Sequence, residues 1–160
     1  MAVRLGMADA GLNPTFLSEA VMQTIVCAVD ESPGAVEAIA VAAGLSRGLR
    51  LRLVLAHVVD GYRHTNGVRT ASMQAHREGQ RLLERVARKH NLEPAADRRT
   101  EVGDRASELS RIAGEEVAVL IVVGSRGGYR RRRGRMSRLS AELRSTAPCP
   151  VVVVPSYPRR

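Results

Sequence analysis

Three stretches of the chain are almost entirely apolar, with no alternation of polar residues. They are Thr24 to Val29, Val117 to Val123 and Val151 to Val154. The second run is unbroken and stops at Gly124. Short apolar runs that end at glycine or turn residues are typical of strands buried on both faces of a parallel sheet. The pattern therefore predicts a sheet that is covered by helices on both sides.

Between these runs, apolar residues recur at helical spacing or alternate with arginines. The spacing predicts four helices: one after the turn Asp30 to Pro33 that ends near Gly48, one over Ala71 to His90, one with Asp104 as N-cap, and one from about Met136. The alternating leucines from Leu51 predict a second strand to about Val59, with its first half less buried than its end. A further strand over Arg98 to Val102 is predicted mainly because the alternation requires one.

The predicted order is β-α-β-α-β-α-β-α-β, which indicates an α/β fold with a five-stranded parallel sheet and right-handed crossovers. In such sheets ligands bind beyond the carboxyl ends of the strands, where the strand order reverses. Asp30 follows the first strand and Gly124 ends the fourth. If these strands are neighbours, we expect both residues to face one crevice.

A glycine-rich turn and a run of arginines follow the fourth strand. The turn contains Gly124, Gly127 and Gly128, and the run extends from Arg130 to Arg138. Backbone N–H groups of such a turn, next to a helix N-terminus, form a common phosphate site. A plain tight turn and a solvated arginine segment are the alternative interpretation, which the residues alone leave open.

Length and composition narrow the class of protein. The 160 residues suit one domain, with an N-terminal extension over 1–21, a domain over 22–155 and a basic tail over 156–160. The formal net charge is +9 and only one of the 25 basic residues, Lys89, is lysine, so the excess of arginine reflects either function or a GC-rich genome. The chain has no apolar run of about 18 residues and no signal-peptide pattern, so we expect no membrane span.

Several function classes are disfavoured by what the chain contains. Cys27 and Cys149 lack metal-ligand spacing, which indicates reduced thiols in a cytoplasmic protein. Aromatic residues are 2% of the chain, so base stacking is poorly supported and nucleic acid is an unlikely partner. No metal-ligand cluster, acid–base pair or activated nucleophile is visible, and we therefore predict neither a metal site nor catalysis. His57 is expected to be a hydrogen-bonded histidine at a strand end.

Five sequence segments together resemble the universal stress protein family: TIVCAVDES, LAHVVD, EVGD, LIVVGSRGG and APCPVVVVP. The resemblance extends from about Met22 to Pro155. It implies a Rossmann-like sheet in the order 3-2-1-4-5, similar to that of adenine nucleotide alpha hydrolases, and a role in the stress response. It also implies a homodimer in which the last strand, Val151 to Val154, pairs with its counterpart.

Family members that bind ATP share the pattern G-x-x-G, nine residues, then G-[S/T]. Gly124 and Gly127 match its first half, but Ser137 and Arg138 stand where the second glycine and the hydroxyl residue are expected. The resemblance implies an ATP site, with or without Mg²⁺. Its residues would be Ala28, Asp30, Val58, Gly124, Gly127, Ser137, Arg138 and Ser140.

Three hypotheses follow from these observations. The first is a small regulatory protein that binds an adenine nucleotide, and the second is a dimeric interaction module of the same fold without a nucleotide. The departure at Ser137 and Arg138 favours the second, whereas the glycine turn and Asp30 favour the first. The third is a polyanion-binding protein that uses Arg130 to Arg138, and the scarcity of aromatic residues places it last.

Overall fold

A computed structural model of the protein describes residues 22–60, 68–125 and 137–156. Strands and helices alternate throughout, as β1 (Thr24–Ala28), α1 (Pro33–Leu49), β2 (Arg52–Asp60), α2 (Val68–Lys89), β3 (Ala96–Gly103), α3 (Arg105–Glu115), β4 (Ala118–Gly124), α4 (Arg138–Thr146) and β5 (Val151–Val154). The predicted extension over 1–21, Gly127, the arginines at 130–135 and most of the basic tail lie outside the described residues.

The five strands form one parallel sheet in the order β3-β2-β1-β4-β5, which confirms the predicted fold class. The chain moves outwards from β1 through β2 to β3, then crosses to the other side of β1 for β4 and β5. The direction of winding therefore reverses between β1 and β4. This is the position at which parallel sheets leave a crevice at the carboxyl ends of their strands.

Helices cover both faces of the sheet and separate its core into two layers. Side chains of α1 and α2 pack on one face, and those of α3 and α4 pack on the other. Successive residues of β1 alternate between the layers: Ile25 and Cys27 belong to the first and Val26 to the second. Burial raises the pKa of the Cys27 thiol to about 12, so this free cysteine is an inert core residue.

The start of α3 and the end of α1 both agree with the sequence prediction. Asp104 caps α3, since its carboxylate accepts a hydrogen bond from the backbone N–H of Ser107 at 3.0 Å. The predicted end of α1 near Gly48 is confirmed to within one residue, since the helix ends at Leu49. Arg50 then takes a left-handed conformation with φ 54°, and its N–H bonds to the carbonyl of Ser46. A non-glycine residue thus performs the turn that glycine usually performs.

The strands also depart from the prediction in detail. The first half of β2 is not the less buried half: Leu53 to Ala56 are buried, and the ends of the strand are more exposed. Helices on both faces cover this segment, so the arginines around it do not mark a solvated face. In β4 the half-buried part is the beginning, because β5 pairs with β4 only from Ile121 onwards. Strand β3 is longer than predicted at both ends.

Candidate functional site

A cleft opens at the carboxyl ends of β1 and β4, where the sequence analysis expects a ligand. It brings together Asp30, Gly124 and Ser137, which are far apart in the chain. The enclosed volume of the cleft is small, about 30 Å³, and part of the cleft is open to solvent. Its lining is Ala28, Val29, Asp30, Ala35, Ala56, Val58, Arg105, Leu109, Val123, Gly124, Ser137 and Leu139.

Asp30 follows β1 and shapes the turn that leads into α1. Its Oδ1 accepts a hydrogen bond from the backbone N–H of Ser32 at 2.9 Å and a very short one from the Ser32 hydroxyl. This is the turn-forming role that an aspartate often has at a helix entry. The residue also lines the cleft. The local role and a role in ligand binding are therefore compatible.

The exit of β4 is held against the start of α1 by direct contact between two glycine backbones. A Cβ atom at Gly124 would meet the carbonyl group of Gly34, and a Cβ at Gly34 would meet the carbonyl oxygen of Ser125. The backbone N–H of Ser125 donates to the carbonyl of Val154 at 2.8 Å. The absence of two side chains thus lets the start of α1 lie directly against the exit of β4, and the two segments form one wall of the cleft.

Ser137 has a structural role at the start of α4 as well as a place in the cleft. Its hydroxyl oxygen accepts from the backbone N–H of Ser140 at 3.1 Å, so it is the N-cap of the helix. The hydroxyl of Ser140, a fully buried residue, lies 2.8 Å from the same oxygen. When Ser140 is the donor of that pair, the proton of Ser137 is available to an acceptor in the cleft.

Arg138 is a predicted site residue that the described cleft does not include. Its side chain is 92% exposed, and its Nε donates to Glu142 at 2.7 Å, one helical turn further along α4. This hydrogen bond raises the pKa of Arg138. Ser140 is likewise absent from the lining, since it lies behind Ser137. Gly127 falls outside the described residues.

The apolar side of the cleft is formed by the ends of β1 and β2. Ala28 and Val58, both predicted site residues, line it together with Ala56. His57 is turned away from this position, because its Nδ1 donates to the carbonyl of Val29 at 2.8 Å. This hydrogen bond confirms the prediction of a hydrogen-bonded histidine at a strand end.

Sequence reasoning missed Arg105, the first residue of α3, which also lines the cleft. It directly follows the Gly103-Asp104 pair at the exit of β3. The rule that ligands lie beyond the carboxyl ends of strands could have identified it, had it been applied to every strand exit.

Metal and membrane sites have no support within the described ranges. Residues 22–60, 68–125 and 137–156 contain no group of three or more His, Cys, Asp or Glu side chains that could hold a metal ion. The helices of this part of the chain also include none that is long and apolar enough to cross a bilayer.

Solved structures similar to this one share its architecture. Universal stress protein UspA from Lactobacillus plantarum is 19% identical, with a TM-score of 0.69, over 83% of this chain and 97% of that one. A universal stress protein family member from Burkholderia pseudomallei is 26% identical, with a TM-score of 0.66, over 85% and 98%. A family protein from Arabidopsis thaliana with AMP bound is 19% identical, with a TM-score of 0.62, over 84% and 92%.

Sequence comparison extends the structural result. None of the curated protein sequences is significantly similar to this chain. The sequence model of the universal stress protein family, however, matches residues 22–155, most of the 160 residues. A match of this extent includes both strand exits that form the cleft. The chain belongs to the universal stress protein family.

Proposed function

We propose that this protein is a non-enzymatic, regulatory adenine-nucleotide-binding protein of the stress response. The observation that carries the proposal is the cleft, in which the exit of β1, the exit of β4 and the start of α4 meet. One part of the cleft is apolar and the other is polar, which matches the apolar base and the polar sugar phosphate of a nucleotide. Alanine and valine side chains form one part, and polar groups together with glycine backbone form the other.

The proposed ligand pose follows from this polarity. The adenine ring would lie on the apolar surface of Ala28, Ala56 and Val58. The carboxylate of Asp30 would accept a hydrogen bond from a ribose hydroxyl, as acidic residues at strand exits do in related folds. The phosphate would lie near Gly124 and Ser137, where glycine permits close approach of the backbone and the helix N-terminus favours an anion.

Proteins of similar structure support the choice of nucleotide. The Arabidopsis protein was solved with AMP, another universal stress protein with cAMP and one from Archaeoglobus fulgidus with dAMP. Adenine and a single phosphate are common to the three ligands, which differ in the sugar hydroxyl that dAMP lacks and in the cyclic phosphate of cAMP. ATP with Mg²⁺ remains our prediction from the family pattern, and Mg²⁺ would rely mainly on the nucleotide's own phosphates because Asp30 is the one carboxylate in the described lining.

Isothermal titration with AMP, and with ATP in the presence and absence of Mg²⁺, tests the proposal. We expect a dissociation constant on the order of 100 μM or tighter for at least one of them, and weaker binding of the guanine counterparts. The expected Kd for Asp30→Asn is about ten-fold higher or more, because an NH₂ group replaces one carboxylate oxygen that could accept from ribose. Asparagine retains an oxygen acceptor for Ser32, so its melting temperature serves as the control for folding.

Two results would reject the proposal that the protein binds an adenine nucleotide. One is the absence of measurable binding at about 100 μM protein, and the other is equal binding of adenine and guanine nucleotides. Chromatography of ATP after long incubation with the protein tests the non-enzymatic part of the proposal, since the ADP formed should not exceed that in buffer alone.

A second candidate, a dimeric interaction module without a nucleotide, is favoured by the orientation of Arg138. In the described structure this side chain pairs with Glu142 at the surface of α4. Arg138 stands where nucleotide-binding members of the family have a small hydroxyl residue. It therefore contributes nothing to the described cleft. Under both candidate functions we propose that the protein forms a homodimer through β5. The dimeric state of the protein and its location in the cytoplasm remain predictions.

A further inference from the structure

Arg105 has a guanidinium nitrogen without a hydrogen-bond partner in the wall of the cleft. Its Nε is buried and has no partner among the residues that the structure describes. A buried N–H group without an acceptor destabilises the protein that contains it, and native structures contain few such groups. The side chain belongs to the first residue of α3 and lines the cleft together with Asp30 and Ser137. An anionic group bound there would supply the missing acceptor.

Three other arginines on this side of the sheet form hydrogen bonds with carboxylates. Arg99 bonds to Glu101, Glu115 and Glu116 at 2.9 to 3.0 Å. Arg111 of α3 bonds to Glu108 at 2.6 Å through its NH2 group and also contacts Glu115. Arg138 pairs with Glu142. Arg105 differs from these three side chains, because the described structure gives it no carboxylate and places it in a concave site.

The cleft around Arg105 selects the type of anion. Most of its lining is apolar, and its other described polar groups are the carboxylate of Asp30 and the hydroxyl of Ser137. A guanidinium that is partly desolvated among apolar groups binds phosphate strongly, because its N–H groups match phosphate oxygens in geometry and charge. The carboxylate of Asp30 disfavours a second anion close to it and suits a neutral hydroxyl. The combination fits a ligand with a sugar at one end and a phosphate at the other.

We propose that Arg105 binds the phosphate group of the nucleotide, and that it supplies the contact which Arg138, paired with Glu142, does not provide at the pattern position of the nucleotide-binding members. This inference rests on the proposed function and adds to it a residue outside that pattern. It also accounts for the two observations together: the arginine at the pattern position pairs with Glu142 at the surface, and an arginine from another helix enters the cleft.

The test compares AMP with adenosine, which lacks the phosphate, by titration of the full chain. For Arg105→Gln we expect the Kd of AMP to rise at least ten-fold while that of adenosine changes less than about two-fold, because only AMP offers an anionic partner. Arg105→Lys retains the charge without Nε, and should have an intermediate effect. Arg47→Gln removes an exposed charge from α1 and controls for the lower net charge.

Each outcome decides a different point. If the unchanged protein binds neither AMP nor adenosine, the proposed function is rejected, and the inference with it. If the protein binds AMP but Arg105→Gln does so equally well, the inference alone is wrong. If Arg138→Gln loses AMP binding and Arg105→Gln keeps it, the phosphate binds at the position expected from the family pattern, and the inference is wrong. An equal loss for AMP and adenosine in Arg105→Gln would show a structural effect, and the inference would again fail.

Discussion

Two glycine residues, Gly34 and Gly124, determine how closely the start of α1 approaches the exit of β4. Neither position has room for a side chain, since each added Cβ would meet a backbone carbonyl group of the opposing segment. Backbone atoms in a packed turn cannot move aside as the end of a flexible side chain can. The cleft therefore depends on these residues for its shape, although neither carries a functional group.

Gly124→Ala should destabilise the protein because of this contact. We expect a loss of about 1–3 kcal/mol, the usual range for an overpacked position, measured by urea denaturation. Gly44→Ala is the matched control: it lies within α1, and a Cβ there would meet nothing within 4 Å. Alanine should stabilise that helix by about 0.5–1 kcal/mol. If Gly124→Ala is as stable as the original protein, the close backbone contact between Gly124 and Gly34 is contradicted.

Residue identity made some of these positions predictable. Asp30 and Gly124 were identified because they end apolar runs, and strand ends are where a parallel sheet binds ligands. The pairing of Arg138 with Glu142 follows from their spacing of four residues on one helix, a pattern that could have been recognised in advance. Arg105 follows the exit of β3, so the same rule could have selected it as a candidate, but its burial in the cleft depends on how α3 packs on the sheet.

At the scale of elements, α3 is fixed at its start by a cap and towards its end by ion pairs. Asp104 accepts from both the backbone N–H and the hydroxyl of Ser107, at 3.0 and 2.8 Å. Near the other end, Arg99 of β3 bonds to Glu115 and Glu116. Hydrogen bonds from Arg99, followed by those from Arg111, lower the pKa of Glu115. These contacts set the orientation of the helix that carries Arg105.

The cap makes part of the stability depend on pH. Hydrogen bonds from Ser107, first through its backbone N–H and then through its hydroxyl, lower the pKa of Asp104 from 3.8. A carboxylate with a lowered pKa stabilises the folded state above its unfolded pKa, and this contribution disappears as the pH falls through the folded pKa. Asp104→Ala should therefore reduce stability at pH 7 by about 1 kcal/mol.

Asp104→Asn separates the charge from the cap, because its oxygen still accepts from Ser107. The difference in unfolding free energy between this variant and the original protein should shrink as the pH is lowered from 7 to below 3.8, the usual value for Asp104. Thermal denaturation at several pH values measures it. A difference that stays constant over this range would exclude the charge of Asp104 as its origin.

At the scale of the whole molecule, the sheet ends on one side at β5. This strand pairs with β4, and within the described ranges no strand lies on its other side. Val152 is 36% exposed, unusually so for a valine in the sheet. Exposed apolar edge strands tend to pair with another chain. Together with the family resemblance, this supports the proposed homodimer through antiparallel pairing of two β5 strands.

Val152→Lys tests this assembly. Charged side chains on an edge strand oppose pairing, and a two-fold axis would bring two like charges close together. Sedimentation equilibrium should show a dimer for the original protein and a monomer for the variant, with unchanged circular dichroism. Leu49→Lys, at an exposed residue at the end of α1, is the control and should remain a dimer. A monomeric original protein, or a dimeric Val152→Lys, would contradict pairing through β5.

The amino-acid sequence by itself determined the alternation of strands and helices, since burial on a sheet or a helix imposes a local period of apolar residues. It also determined that Asp30 follows the first strand and that Gly124 ends the fourth. The strand order was inferred from family resemblance, because periodicity does not say which strands are neighbours.

Only the tertiary structure decided which side chains meet at the cleft. It placed Ser137 and Arg105 beside Asp30, and turned Arg138 towards Glu142. The physical reason is that the partner of a side chain depends on the packing of elements distant in sequence, whereas local pattern describes only the burial of each element. Arg105 lines the cleft because α3 packs on the sheet next to it, and residues 103–106 place Arg105 at a strand exit without encoding that packing.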